Sequence, residues 1–80
     1  MTSELNQTGT VTFRNSGPNP VTLSIWYSDF NNVWTEVQRT HLPAGYSVDV
    51  VFDAGRMAYY GYSTNGGNTI LSIYSNYIEV

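Results

Sequence analysis

The chain contains no cysteine, no lysine and a single histidine. The first absence excludes disulfide staples, on which domains of this size often depend. With His41 as the one strong nitrogen ligand and no thiolate, zinc has too few donors. The same shortage removes most nucleophilic catalysis: His41 would have to act as base for any serine or threonine, and no Gly-x-Ser-x-Gly elbow stands near it. Charge is also scarce. Acidic and basic residues make up 11% of the chain, against roughly 25% in ordinary domains. Arg14, Arg39 and Arg56 are dispersed and the net charge is −3, so nucleic acid finds no basic patch. No apolar run approaches the ~18 residues of a membrane helix, and no membrane insertion is expected. The opening MTSELNQTG lacks the charged and apolar regions of a signal peptide. A low-charge surface of Asn, Ser, Thr and Tyr suits an extracellular or virion location, with either synthesis and use without Sec export or a mature segment behind a start Met as the route. No cofactor is implied.

What the chain has in quantity is aromatic residues: seven tyrosines, three phenylalanines and two tryptophans among 80 residues. A domain this short buries a limited fraction of its surface. Aromatic packing or self-association must supply what disulfides do not. Hydrophobicity alternates with a period of two over 10–14, 21–27, 33–39, 46–52, 56–63 and 69–79. These runs are rich in β-branched and aromatic residues and are punctuated by Gly, Pro and Asn. Such spacing predicts an all-β fold: a small antiparallel β-sandwich of about six to seven strands, forming one domain over 9–80 with a flexible arm over 1–8. The segment NSGPNP (15–20) cannot continue a central strand, and RTHLPAGYS (39–47) is long enough to cross between sheets.

Two stretches, VTFRNSGPNPVTLSIWY and HLPAGYSVDVVF, resemble bacterial immunoglobulin-like adhesion domains of the CARDB type. The shared features are a strand ending in Asn-x-Gly, a following strand of alternating aliphatics, and a Leu-x-x-Gly turn opening a Val-x-Val-x-Phe strand. The likeness covers residues 11–52. It implies an immunoglobulin-like fold and a binding or spacer module without catalysis.

Two aromatic groups are candidates for a binding surface. If Tyr27 pairs with Val33, Leu23 faces Val37 on the apolar side, and Trp26 stands directly opposite Trp34 on the polar side. That makes a flat platform suited to a sugar ring or a protein interface. The loop between them offers Phe30 as a further contact and Asp29, Asn31 and Asn32 as hydrogen-bonding groups. The local alternative for those three is an Asx-type turn, which also has too few carboxylates for calcium.

The second group is RMAYYGYSTNGGN (56–68). A strand sends Tyr59 to one face and Tyr60 and Tyr62 to the other. If FDAGR forms a hairpin with Gly55 as a left-handed third loop residue, Val48 pairs with Tyr60, and Tyr60 and Tyr62 turn inward. A turn at Gly66-Gly67 pairs Tyr60 with Ile73 and Tyr62 with Leu71, giving the same parity. Tyr59 then ladders with Tyr74 on the exposed side.

Asp29, Glu36, Asp49 and Asp53 could supply a glycosidase pair, but a domain this small offers little cleft between them. NQT (6–8) matches a glycosylation sequon without an export signal to give it meaning. The expected function is a non-enzymatic binding or structural module of a cell-surface or virion assembly, acting on a protein partner or on itself as a homo-oligomer. A small glycan-binding lectin is the alternative. A phage or bacterial inhibitor or effector of one protein target is the further one.

Overall fold

The computed structural model describes residues 9–52 and 59–80. The arm and sequon within 1–8, and the turn at Ala54 and Gly55, lie outside the described residues. Among the described residues there are seven strands: β1 (Gly9–Arg14), β2 (Val21–Ser28), β3 (Trp34–Leu42), β4 (Ser47–Phe52), β5 (Tyr59–Thr64), β6 (Leu71–Ser72) and β7 (Tyr77–Glu79). They form a three-stranded sheet, β4-β1-β7, and a four-stranded sheet, β3-β2-β5-β6. The fold is the expected all-β sandwich. One pairing departs from antiparallel order: β7 runs parallel to β1, with Phe13 beside Ile78. The expected single strand over 69–79 is divided between the sheets, its first half on β5 and its second on β1.

The core is made by alternate residues of each strand. Val11 and Phe13, Leu23, Ile25 and Tyr27, Leu42, Val50 and Phe52, Tyr60 and Ile73 are all buried. Rings dominate it. Tyr27, Phe52 and Tyr60 form a triangle of centroid separations 6.2, 5.0 and 5.1 Å, and Phe13 meets Tyr62 edge-on at 5.4 Å. Tilted and edge-to-face contacts of this kind add about 0.5–1.5 kcal/mol each beyond area burial.

Asn15 anchors the loop that follows β1. It is fully buried, and its amide nitrogen donates to the carbonyls of Asn19 (2.7 Å) and Leu42 (3.0 Å). Its Oδ1 accepts from the Gly17 N–H at 3.0 Å. The proline-containing loop is thereby tied to the end of β3, where 43–46 crosses to the other sheet as expected.

The pairing of β4 with β5 expected around FDAGR is not formed. β4 pairs with β1, setting Val50 beside Val11 and Val48 beside Phe13, and β5 pairs with β2. Val48 and Tyr60 are therefore in different sheets. Phe52 and Tyr60 meet across the sandwich interior, so Tyr60 is buried as expected but by inter-sheet packing. Tyr62 is half-buried against the same core.

The β5–β6 register is the expected one, with Tyr62 opposite Leu71. The turn itself is centred one residue earlier, at Asn65-Gly66, and two additional residues within 68–70 restore the Tyr62–Leu71 pairing. Asn65 and Gly66 have φ of 55° and 73°, and the Gly67 N–H donates to the Thr64 carbonyl at 3.0 Å. Two consecutive positive φ angles match a right-twisted hairpin, and Asn-Gly is the pair that tolerates them.

Candidate functional site

The β2–β3 hairpin corrects the expected tryptophan pairing. Its loop runs from Asp29 to Val33, and Ser28, not Tyr27, pairs with the first residue of β3, Trp34. Asp29 sets this register. Its Oδ1 accepts from the N–H groups of Asn31 and Val33, both at 2.9 Å, and its own N–H donates to the Val33 carbonyl. Asn32 adopts φ of 62°. This is the Asx-type turn that was the local alternative for Asp29. Asn31 and Asn32 are exposed, and Phe30 at the tip is 86% exposed.

Further along, the register shifts between Ile25 and Trp26: Trp26 faces Glu36 while Ile25 faces Gln38. Val37 is the extra residue of a β-bulge. Leu23 consequently faces Thr40, not Val37, and Val33 and Val37 are exposed. The bulge turns Glu36 and Arg39, three positions apart, to the same outer face. There Arg39 Nη2 and Nε donate to the Glu36 carboxylate at 2.9 and 3.2 Å. The Ser24 hydroxyl and then Arg39, both bonding this carboxylate, hold Glu36 below its ordinary pKa.

Trp26 and Trp34 still share that outer face, but diagonally. Both are half-buried. The Trp26 indole N–H donates to Ser63 Oγ at 3.0 Å. Trp34 reaches over β2 to Gly61, where a Cβ would stand 3.2 Å from Trp34 Cζ3 and would collide with Ile70 Cγ2. Beneath this layer Ser24, Ser28, Gly61 and Ser63 are buried. The platform is thus a half-sunken aromatic layer on a floor of small residues. Tyr59 belongs to the same face, half-buried opposite Ser28. Tyr74 is 56% exposed, but the β5–β6 ladder ends at Ser72, short of a Tyr59–Tyr74 pair.

Gly61 and Ile70 were not singled out from the sequence, and Glu36 and Arg39 were not read there as a pair. A Glu-x-x-Arg spacing inside a strand was an available sign of a bulge, since residues three apart otherwise face opposite sides. His41 is exposed on the outer face of β3, opposite Thr22. Among the described residues no three His, Asp or Glu side chains converge, and no helix is long and apolar enough to cross a membrane.

The fold and this face define the class: a small two-sheet β-sandwich with a tryptophan-bearing outer face on its larger sheet. No protein-family model, no curated protein and no solved structure matches the chain.

Proposed function

We propose that the protein is a non-enzymatic binding or structural module of a cell-surface or virion assembly, working through protein contacts and associating with itself. The observation that carries this reading is the outer face of the four-stranded sheet. Trp26, Trp34 and Tyr59 are each only half-buried there, and the fully projecting Phe30 stands at the loop beside them. Aromatic anchors set in a low-charge surround are the usual centre of a protein interface. The resemblance of 11–52 to bacterial immunoglobulin-like binding domains points the same way. The lectin reading is the weaker one on this geometry. The Asp29 Oδ1 that would receive sugar hydroxyls already accepts two backbone N–H groups, and the Trp26 indole N–H is taken by Ser63.

The test pans a genomic-fragment display library of the source organism on the wild-type protein, with Phe30→Ala and Trp34→Ala as counter-baits, beside a glycan array. Protein fragments enriched on wild type and lost on both variants support the reading. Glycan binding lost in the same variants transfers the face to the lectin reading. A folded protein that is blank in both overturns it.

A further inference from the structure

The long edge of the four-stranded sheet, β3, adjoins the aromatic layer at Trp34. β3 is nine residues long and, among the described residues, pairs on one side only, with β2. On β2, Thr22 gives its N–H to Asn65 Oδ1 at 3.0 Å and receives the Asn65 N–H on its carbonyl at 2.8 Å. Both of its backbone groups therefore point toward β5. Backbone direction alternates along an antiparallel ladder. The residues opposite Thr22 and Ser24 on β3, namely His41 and Arg39, consequently aim their N–H and C=O at the open edge.

Sheet edges are commonly guarded by short strands, lysine, proline, inward-pointing charges or bulges. β3 is nine residues long without lysine or proline; it carries the Val37 bulge and two charges of opposite sign, Glu36 and Arg39, both on the outer face. The bulge makes the pair self-complementary. In a regular strand, residues three apart face opposite sides, and no two-fold axis could set them against each other. With Val37 looped out, an axis through Gln38 brings Glu36 opposite Arg39 of a second copy, Thr35 opposite Thr40, and Trp34 opposite His41. Every pair lies on a common face: Glu36–Arg39 and Trp34–His41 on the outer one, Thr35–Thr40 on the inner one.

We propose that two copies of this chain pair antiparallel along β3 about a two-fold axis at Gln38, joining their four-stranded sheets into one. Each Glu36 then lies between the Arg39 of its own strand and that of the other copy. Because the axis is perpendicular to the sheet, both tryptophan layers fall on the same side, and a partner meets two of them at once. The inference rests on the self-association within the proposed function and supplies its surface.

Sedimentation equilibrium of the full chain, from about micromolar to about millimolar, tests it with Glu36→Arg, Arg39→Glu and the double reversal. The expected result is a concentration-dependent dimer whose dissociation constant rises about tenfold or more in either single variant. In the double variant it should return to within about threefold of wild type. Circular dichroism checks that each variant is folded. A second measurement uses the absence of native cysteine. Residues opposed across such an axis lie within disulfide reach, so Gln38→Cys should cross-link to a covalent dimer under mild oxidation far faster than Ser47→Cys on β4.

A wild-type monomer at the highest concentration, with no preference for Gln38→Cys, overturns both the edge pairing and self-association, and leaves Phe30-dependent binding to stand or fall separately. A larger species indifferent to charge reversal and to Gln38→Cys overturns the edge pairing alone.

Discussion

Trp34 on β3 lies over Gly61 on β5, with β2 between them, its Cζ3 3.2 Å from where a Cβ on Gly61 would stand. The contact needs a floor without side-chain bulk, and Ser28, buried beside Trp34, keeps the path low. Gly61→Ala places a methyl group against Ile70 and 3.2 Å from the Leu71 carbonyl as well. Overpacking of this kind costs about 1–3 kcal/mol. Thermal denaturation should show a lowered midpoint, and tryptophan emission should shift to the red as Trp34 is lifted toward water. An unchanged midpoint and spectrum would show that Trp34 does not rest there.

Asn15 uses both its amide nitrogen and its Oδ1 inside a buried pocket. Asn15→Leu keeps the branched shape, adds some volume and removes every one of these bonds, leaving the Leu42 carbonyl without that donor. The expected loss is about 2–4 kcal/mol, measured by urea unfolding at constant slope. Asn15→Asp should be nearly as harmful, since a carboxylate cannot donate to the carbonyls of Asn19 and Leu42.

The hairpin loop yields a pair of opposite effects. Asn32 has φ of 62°, a conformation that glycine adopts without strain and β-branched residues resist. Asn32→Gly should leave stability unchanged to within about 0.5 kcal/mol, while Asn32→Val should lose about 1–2 kcal/mol. Asp29→Ala should cost about 1 kcal/mol by freeing the Asn31 and Val33 N–H groups. Phe30→Ser, at the exposed tip, should not move the midpoint, which separates a binding defect at Phe30 from a folding defect.

Glu36 supplies the pH dependence. Hydrogen bonds from Ser24 and then Arg39 lower its folded-state pKa from the model-peptide value of 4.5. A depressed folded pKa contributes stability that is present above the unfolded pKa and lost as pH falls through the folded one. The window therefore opens near the ordinary Glu value and closes below it. Side-chain carboxyl NMR should place the Glu36 titration below that of a free glutamate. Ser24→Ala should move it upward, and an unmoved titration would exclude the Ser24 bond as the principal cause.

Single-tryptophan variants test the half-sunken layer. Trp26→Phe and Trp34→Phe each leave one indole, and acrylamide should quench either at a rate between those of a free and a fully buried tryptophan. Trp26→Phe additionally strands the buried Ser63 hydroxyl, with an expected loss of about 1–2 kcal/mol. Complete protection of both indoles in a monomer would remove the aromatic face as a contact surface.

The sequence by itself determined that the chain is all-β, where most of its strands begin, that the chain changes sheets within 39–47, and that Tyr60 and Tyr62 face inward. These are consequences of a period of two and of local turn chemistry, which any short window contains. Only the tertiary structure decided which strands are neighbours. Val48 and Tyr60 have the right parity to pair in a hairpin, yet parity says nothing about partner, and β4 lies beside β1 while Phe52 meets Tyr60 across the core. The bulge at Val37 was equally hidden from a pattern of alternation, because one inserted residue exchanges the faces of everything beyond it. The bulge set Ile25 opposite Gln38, while the loop register fixed by Asp29 had already placed Trp26 opposite Glu36 and not Trp34. Ser24 belongs to the polar side of its alternating strand, yet Ser24, Ser28 and Ser63 are buried, with Trp26 bonded to Ser63 and Trp34 and Ile70 meeting over Gly61 between them. Coverage by distant parts of the chain is a property of packing, and no local pattern encodes it.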